Sequence, residues 1–402
     1  MTGRAGGAGQ SRGDAVPRDP PRRMMTHRVW ARVDRGAMAH NLATVRRRLG
    51  PGRDLLVVVK ADAYGHGATE VARLAVAAGA AFLGVGDSQE GLALRDAGIR
   101  LPILVLGALI PGEIDAVLAH DIVPCVHSEQ KIRLLARVAR SLDRPLAVHL
   151  KVDTGMGRLG ARPERVGRLV AAIRENPPLS LDGVCTHLAA LRPDDPDLAA
   201  QMERFEAVLR EVPAAAGARW RHAENSLALF AARAAGPLNL ARIGGAVYGI
   251  VPPGIPALAE ELRPAMTIHS QVVFLKDLPA GSPVGYGGEF VARHPTRLAI
   301  LPVGYHDGYA FAYGNRASVL VRGRRAPVRG RVSMDYTAVD VTGIPGVAVG
   351  DPVALLGRQG DEEITLAEMA AWRGSIPYEV TCALGPRVRR VYEGDGAGDG
   401  AP

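Results

Sequence analysis

A lysine at the carboxyl end of an apolar run, Lys60 in Leu55-Leu56-Val57-Val58-Val59-Lys60-Ala61-Asp62-Ala63-Tyr64-Gly65-His66-Gly67, is the residue of this chain best suited to covalent amine chemistry. The sequence has only four lysines, Lys60, Lys131, Lys151 and Lys276, among 49 basic residues, so arginine supplies generic positive charge. A lysine kept here points to something arginine cannot do. A guanidinium holds its protons, whereas a desolvated lysine amine loses one and attacks a carbonyl to give a Schiff base.

Positioning such a lysine requires a rigid scaffold. Leu55–Val59 is a continuous aliphatic run of the kind a strand buried on both faces shows. It is followed by alternating strand-like and helix-like stretches: Ala68–Ala78, Phe82–Val85, Gln89–Ala97, Ile103–Leu106, Pro111–Ala119, Leu146–Val152 and Pro163–Asn176. Strands at Val184, Trp220–Ala223 and Leu240–Ile243 extend the series. Such alternation predicts βαβ units, and the count approaches the eight of a (β/α)8 barrel, whose active sites lie at the carboxyl ends of the strands. No G-x-G-x-x-G follows the first strand, which argues against an open dinucleotide-binding sheet.

Beyond about residue 263 the texture changes to short strands punctuated by Gly and Pro, at Ile268–Phe274, Leu298–Val303, Ser318–Val321 and Ala338–Val341, an all-β pattern. The expected organisation is a disordered tail at 1–25, a barrel at 26–262, a mainly β C-terminal domain at 263–394 and a second disordered tail at 395–402. The translation start could be Met1, Met24 or Met25.

With 402 residues, 47% hydrophobic and 22% charged, the chain can bury a full core. Neither a signal-peptide run nor an eighteen-residue apolar stretch is present, so a soluble, cytoplasmic protein is expected, with no membrane partner. Cys125, Cys185 and Cys382 are widely spaced and indicate neither a disulfide framework nor a metal site. The net charge of +8 is spread over the chain apart from the N-terminal tail and two short arginine runs. No nucleic-acid partner is expected from it, and anionic small substrates fit it equally well.

Val58 to Gly67 resembles the cofactor-lysine motif of the alanine racemases, pyridoxal-phosphate (PLP) enzymes built of a barrel and a C-terminal β domain. The resemblance runs in order from about Trp30 to Tyr392. It implies that Lys60 carries PLP and that Tyr64 packs beside it. Lys151-Val152-Asp153-Thr154-Gly155-Met156-Gly157-Arg158-Leu159-Gly160 is similar to the segment whose arginine, here Arg158, contacts the substrate carboxylate. Lys151 matches a position carbamylated in some members. His187 corresponds to the histidine beside Arg242, and Arg242 to the arginine facing the pyridine nitrogen. Ser226, Gly244 and Gly245 match the phosphate-binding loops, where a hydroxyl and backbone N–H groups are what an anion requires. Tyr378 matches a further phosphate contact.

The resemblance also implies two bases on opposite faces of the substrate Cα: Lys60, and Tyr286 from the other subunit of a homodimer with shared active sites. Tyr305 and Met334 match residues lining the substrate pocket, again across the dimer. The implied activity is interconversion of L- and D-alanine, supplying D-alanine for peptidoglycan. Asp62, Gly285, His306, Glu224 and Arg389 depart from the expected pattern. Glu224 stands where a small residue is usual, so a carboxylate is expected near the phosphate. The departures leave open a serine or broad-specificity racemase. The other readings weighed are a non-catalytic PLP-binding protein, which lacks a second domain, and a barrel PLP decarboxylase, which carries an acidic partner for the pyridine nitrogen.

Overall fold

The computed structural model describes residues 26–231 and 236–394. The tails expected at 1–25 and 395–402 lie outside the described residues. By contact the described residues form two compact units, one of Ala31–Thr267 with 366–394, the other of Ile268–Thr365 with 26–30. The segment from Leu366 therefore groups with the first unit, whereas the sequence texture had joined 263–394 into one domain.

The first unit is built on eight parallel strands: Asp54–Val58, Phe82–Val85, Ile103–Val105, Ile122–Val126, Leu146–Lys151, Leu179–Cys185, Trp220–His222 and Leu240–Ile243. They follow one another in sequence order except that the eighth pairs with the first, Leu56 opposite Arg242. The backbone N–H of Asn239 donates to Arg221 O at 3.1 Å and that of Arg242 to Glu224 O at 3.0 Å, joining the seventh strand to the eighth and closing the barrel. The fourth strand is not evident from sequence, because Pro124 inside an apolar run argues against a central strand. The structure accommodates it, with Pro124 opposite Val105.

Helices between the strands are set by local signals. Ser128 caps Glu129–Ser141, its Oγ accepting from Lys131 N at 3.3 Å. That helix buries Ile132, Leu135, Ala136 and Ala139, the spacing of one helical face. Burying one Leu or Ile contributes about 1.5–3 kcal/mol, so this face anchors the helix to the sheet. Inside the barrel Leu56, Val58, Phe82, Leu104, Cys125, Cys185, Trp220 and Leu240 form one cluster. His149 shares that interior. A Cβ on Gly183 would lie 2.5 Å from His149 Nδ1, so only glycine lets the imidazole cross there.

The second unit is antiparallel. Pro352–Gln359 pairs with Met266–Gln271 and with Ser318–Val321, which also pairs with Arg324–Pro327. Thr296–Leu301 lies between Phe274–Leu278 and Thr337–Asp340 in a second sheet. The single strand expected at Ile268–Phe274 is thus two. Val272 N bonds Asp351 O at 3.0 Å and Val273 N bonds Ile300 O at 2.9 Å, so the backbone changes sheets at that dipeptide.

Candidate active site

The first strand ends at Val58 and Lys60 opens a single tight turn, Lys60–Tyr64. Ala61, Asp62, Ala63 and Tyr64 all have positive φ, between 52° and 56°. A left-handed conformation costs a non-glycine residue about 1–2 kcal/mol, so four in succession require outside support. The Glu90 carboxylate supplies part of it, accepting from Ala61 N and Gly86 N at 2.6 Å each. Asp62 Oδ1 accepts from Ala68 N at 2.8 Å, and Arg390 Nε donates to Gly65 O at 3.1 Å. Asp62 therefore acts as a turn residue.

Lys60 is exposed at the rim, yet its amine is held below the ordinary lysine pKa, first by desolvation and then by the charge of Arg158. That favours the neutral, nucleophilic amine. Arg158 is itself exposed, and its guanidinium makes no hydrogen bond to a described residue, leaving the fork available for a carboxylate. Its loop is tied down by Asp153 Oδ1, which accepts from Gly155 N at 3.0 Å and Gly157 N at 3.1 Å. Lys151 Nζ donates to Leu106 O at 3.0 Å.

Arg242 is buried and held on several sides. Nη1 donates to His222 Nδ1 at 2.8 Å and to His222 O at 2.9 Å; Nη2 donates to Thr186 O at 2.7 Å, Ala223 O at 3.0 Å and His187 Nδ1 at 3.2 Å. Nε makes no hydrogen bond to a described residue. Burial, and then the charge of Arg242, lower the pKa of His187 to about 3, and the same causes in the same order push His222 well below its ordinary value. Both rings are therefore neutral acceptors. His222 Nε2 lies 2.8 Å from His149 Nδ1, and His149 Nε2 lies 3.6 Å from Asp182 Oδ2. Arg242, His222, His149 and Asp182 form a line across the barrel that sequence reasoning found only at Arg242.

Two turns meet beside this line. A Cβ on Gly244 would lie 2.8 Å from the Tyr64 hydroxyl, and one on Gly245 would lie 2.6 Å from the Tyr378 hydroxyl, so the phenols approach the Gly244-Gly245 backbone closely. Tyr64 and Tyr378 pack edge to face at 5.5 Å. Burial raises the pKa of each phenol, so both keep the proton they would donate. Ser226 Oγ accepts from Ala246 N at 3.3 Å. The buried N–H groups of Gly244 and Gly245 meet no acceptor among the described residues. Buried N–H groups are rarely left orphaned, and here they converge with hydroxyl donors, the donor set an anionic phosphate requires.

The carboxylate expected to disturb that cradle is accounted for. Glu224 is buried and ion-paired with Arg53, a partner the sequence did not suggest. Tyr248 is also buried, but its hydroxyl is spent on Val58 O at 2.7 Å, which makes it structural.

In the second unit Tyr286 opens the turn Tyr286–Gly288 and is 74% exposed. Tyr305 N donates to Ser333 O at 3.0 Å and His306 N to Met334 O at 3.2 Å, bringing Tyr305 and Met334 together at the surface.

The lysine, the tethered arginine and the orphaned donors fit a pyridine aldehyde carrying a phosphate. The family model described as alanine racemase, N-terminal domain, matches residues 33–252, and the one described as alanine racemase, C-terminal domain, matches 265–392. The chain belongs to the alanine racemase family. An alanine racemase of Symbiobacterium thermophilum is 44% identical over 92% of this chain and 98% of its own length. The alanine racemase of Streptomyces coelicolor superposes with a TM-score of 0.85 at 34% identity, covering 93% of this chain and 100% of that one. That of Bacillus anthracis with bound L-Ala-P gives 0.83 at 31% identity, covering 92% and 96%. The chain is thus an amino-acid racemase with the barrel and β-domain plan of this family. Among the described residues no helix is long and apolar enough to cross a membrane.

Proposed function

We propose that this enzyme interconverts L- and D-alanine with PLP held on Lys60, using Lys60 and Tyr286 of the partner subunit as its two bases. The observation that carries the reading is the tethered Arg242 guanidinium, whose one N–H without a partner among the described residues, at Nε, lies in the same site as a lysine with a depressed pKa. PLP, when bound, supplies an electron sink for the pair left at Cα once its proton departs.

The residues divide the remaining work. Arg158 orients the substrate carboxylate. Tyr64, Tyr378, Ser226 and the Gly244 and Gly245 N–H groups would hold the phosphate. Arg242 would offer its Nε N–H to the pyridine ring and, because a guanidinium keeps its proton, would leave the sink weak and discourage transamination. His187 and His222 accept from Arg242 and fix its plane.

Inverting a stereocentre calls for a proton taken on one face and returned on the other, so a second base opposite Lys60 Nζ is needed. Tyr286 is the residue offered: it is exposed and lines one cavity with Tyr336, and Tyr305 and Met334 are exposed on the same unit. Such a patch supports a surface covered by another protomer, with Tyr305 and Met334 lining the partner's substrate pocket. The proposed setting is cytoplasmic, with D-alanine passed to peptidoglycan synthesis.

Mixing two inactive variants tests the shared site. Lys60→Ala and Tyr286→Phe are each expected to be nearly inactive. Hybrid dimers would contain one site with both native bases, so unfolding and refolding the mixture together restores racemisation. No activity from a mixture shown to contain hybrids would count against a base supplied across the dimer.

A further inference from the structure

Glu224 is a buried carboxylate two residues before Ser226, where the family resemblance leads one to expect a small side chain. Its backbone O accepts from Arg242 N at 3.0 Å, while Ser226 Oγ accepts from Ala246 N at 3.3 Å, so Glu224 sits on the wall that holds both the guanidinium and the Gly244-Gly245 turn. Its side chain is 2% exposed and pairs with Arg53, 19% exposed, from the start of the first strand. Removing one partner of a buried pair leaves the other as an uncompensated charge in a medium that screens poorly.

We infer that Arg53 is a positioning residue for the cofactor phosphate: it neutralises Glu224 and thereby allows a dianion to be held at Ser226, Gly244 and Gly245. The inference rests on the PLP reading above. It assigns Arg53 a role through charge, separable from any part it plays in barrel stability.

The test compares two ligands that differ only in the phosphate, PLP and pyridoxal, binding to the cofactor-stripped enzyme. Dissociation constants are read from the absorbance of the lysine-bound ring, with circular dichroism as a check on folding. Wild-type enzyme is expected to bind PLP, and failure there would overturn the cofactor reading itself. Arg53→Met should weaken PLP by about tenfold or more and change pyridoxal by no more than about twofold, because the lost counter-charge acts on the phosphate alone. Arg53→Lys, which keeps the charge, should stay within about threefold of wild type for both ligands. The double variant Arg53→Met, Glu224→Ala should recover PLP to within about threefold.

Glu224→Ala alone gives a readout should Arg53→Met fail to fold. Removing the carboxylate while Arg53 remains should tighten PLP a few-fold and leave pyridoxal unchanged. Equal loss of both ligands in Arg53→Met would show a purely structural role and overturn the inference. So would PLP binding that is unchanged in Arg53→Met, or indifferent to Glu224→Ala.

Discussion

The Arg242 Nη1 donates to His222 Nδ1 at 2.8 Å, and this one bond sets the tautomer of a buried ring. Because Nδ1 accepts, the ring proton lies on Nε2, which faces His149 Nδ1 at 2.8 Å. His149 then carries its own proton on Nε2, towards Asp182. The line holds the guanidinium plane from behind.

Replacing His222 should therefore act through Arg242. His222→Asn keeps an acceptor near the place of Nδ1 and His222→Leu does not, so the expected order of kcat is wild type, Asn, Leu. The Leu variant is expected to fall roughly ten- to a hundredfold, the range usual for losing the partner that orients a functional group. A higher ratio of transamination to racemisation in the Leu variant, read by product analysis, would mark a displaced Arg242. Equal rates for all three would show that the bond does not position it.

Glu90 holds the left-handed turn behind Lys60 through two backbone N–H groups. Glu90→Ala should lower stability by about 1.5–3 kcal/mol, the contribution of a hydrogen bond to a charged group. It should also slow PLP incorporation, since the turn that aims Lys60 loosens. Urea unfolding and the time course of cofactor uptake measure the two effects. An unchanged uptake rate would separate the turn from the function of the lysine.

The alternation of apolar runs and amphipathic stretches made the barrel legible, because a parallel strand buried on both faces and a helix with one apolar face leave different periods. Lys60 was legible from chemistry, as a rare lysine in an arginine-rich chain. Most of the other proposed site residues came through the motif resemblance. What stayed hidden depended on distant parts of the chain. His222 and His149 are 73 residues apart and read singly as core histidines, and Arg53 lies far in sequence from Glu224. The fourth strand was hidden by Pro124, and the left-handed turn at Ala61–Tyr64 by residues that carry no glycine signal.

The rim charges make a prediction about Lys60. Its pKa is lowered by desolvation and then by Arg158. In cofactor-free enzyme, acylation of Lys60 followed by mass spectrometry should show a pH midpoint below that of a free lysine. Arg158→Met removes the second cause and should move the midpoint upward. A midpoint indifferent to Arg158 would place that guanidinium too far away to bind the carboxylate of a substrate attached at Lys60.

Buried neutral histidines tie stability to pH. Burial lowers the pKa of His66 to about 4, and burial with Arg242 lowers His187 to about 3. Unfolded histidines titrate near 6.5. Below that pH the unfolded chain takes up protons the folded one refuses, so stability is fully present above about 6.5 and declines as pH falls towards 4 and 3. The thermal midpoint should drop over that window, and less steeply in His66→Gln. A midpoint flat from pH 7 to pH 4 would contradict the buried, neutral assignment.

The central claim is proton transfer at both faces of Cα. NMR of alanine incubated in D₂O with the PLP-loaded enzyme tests it most directly, with chiral analysis of the product and serine run in parallel to measure substrate breadth. The account predicts loss of the Cα proton signal from either enantiomer together with appearance of the other, and a much smaller effect in Tyr286→Phe. A protein that carries PLP yet leaves the Cα proton of both enantiomers in place would contradict it.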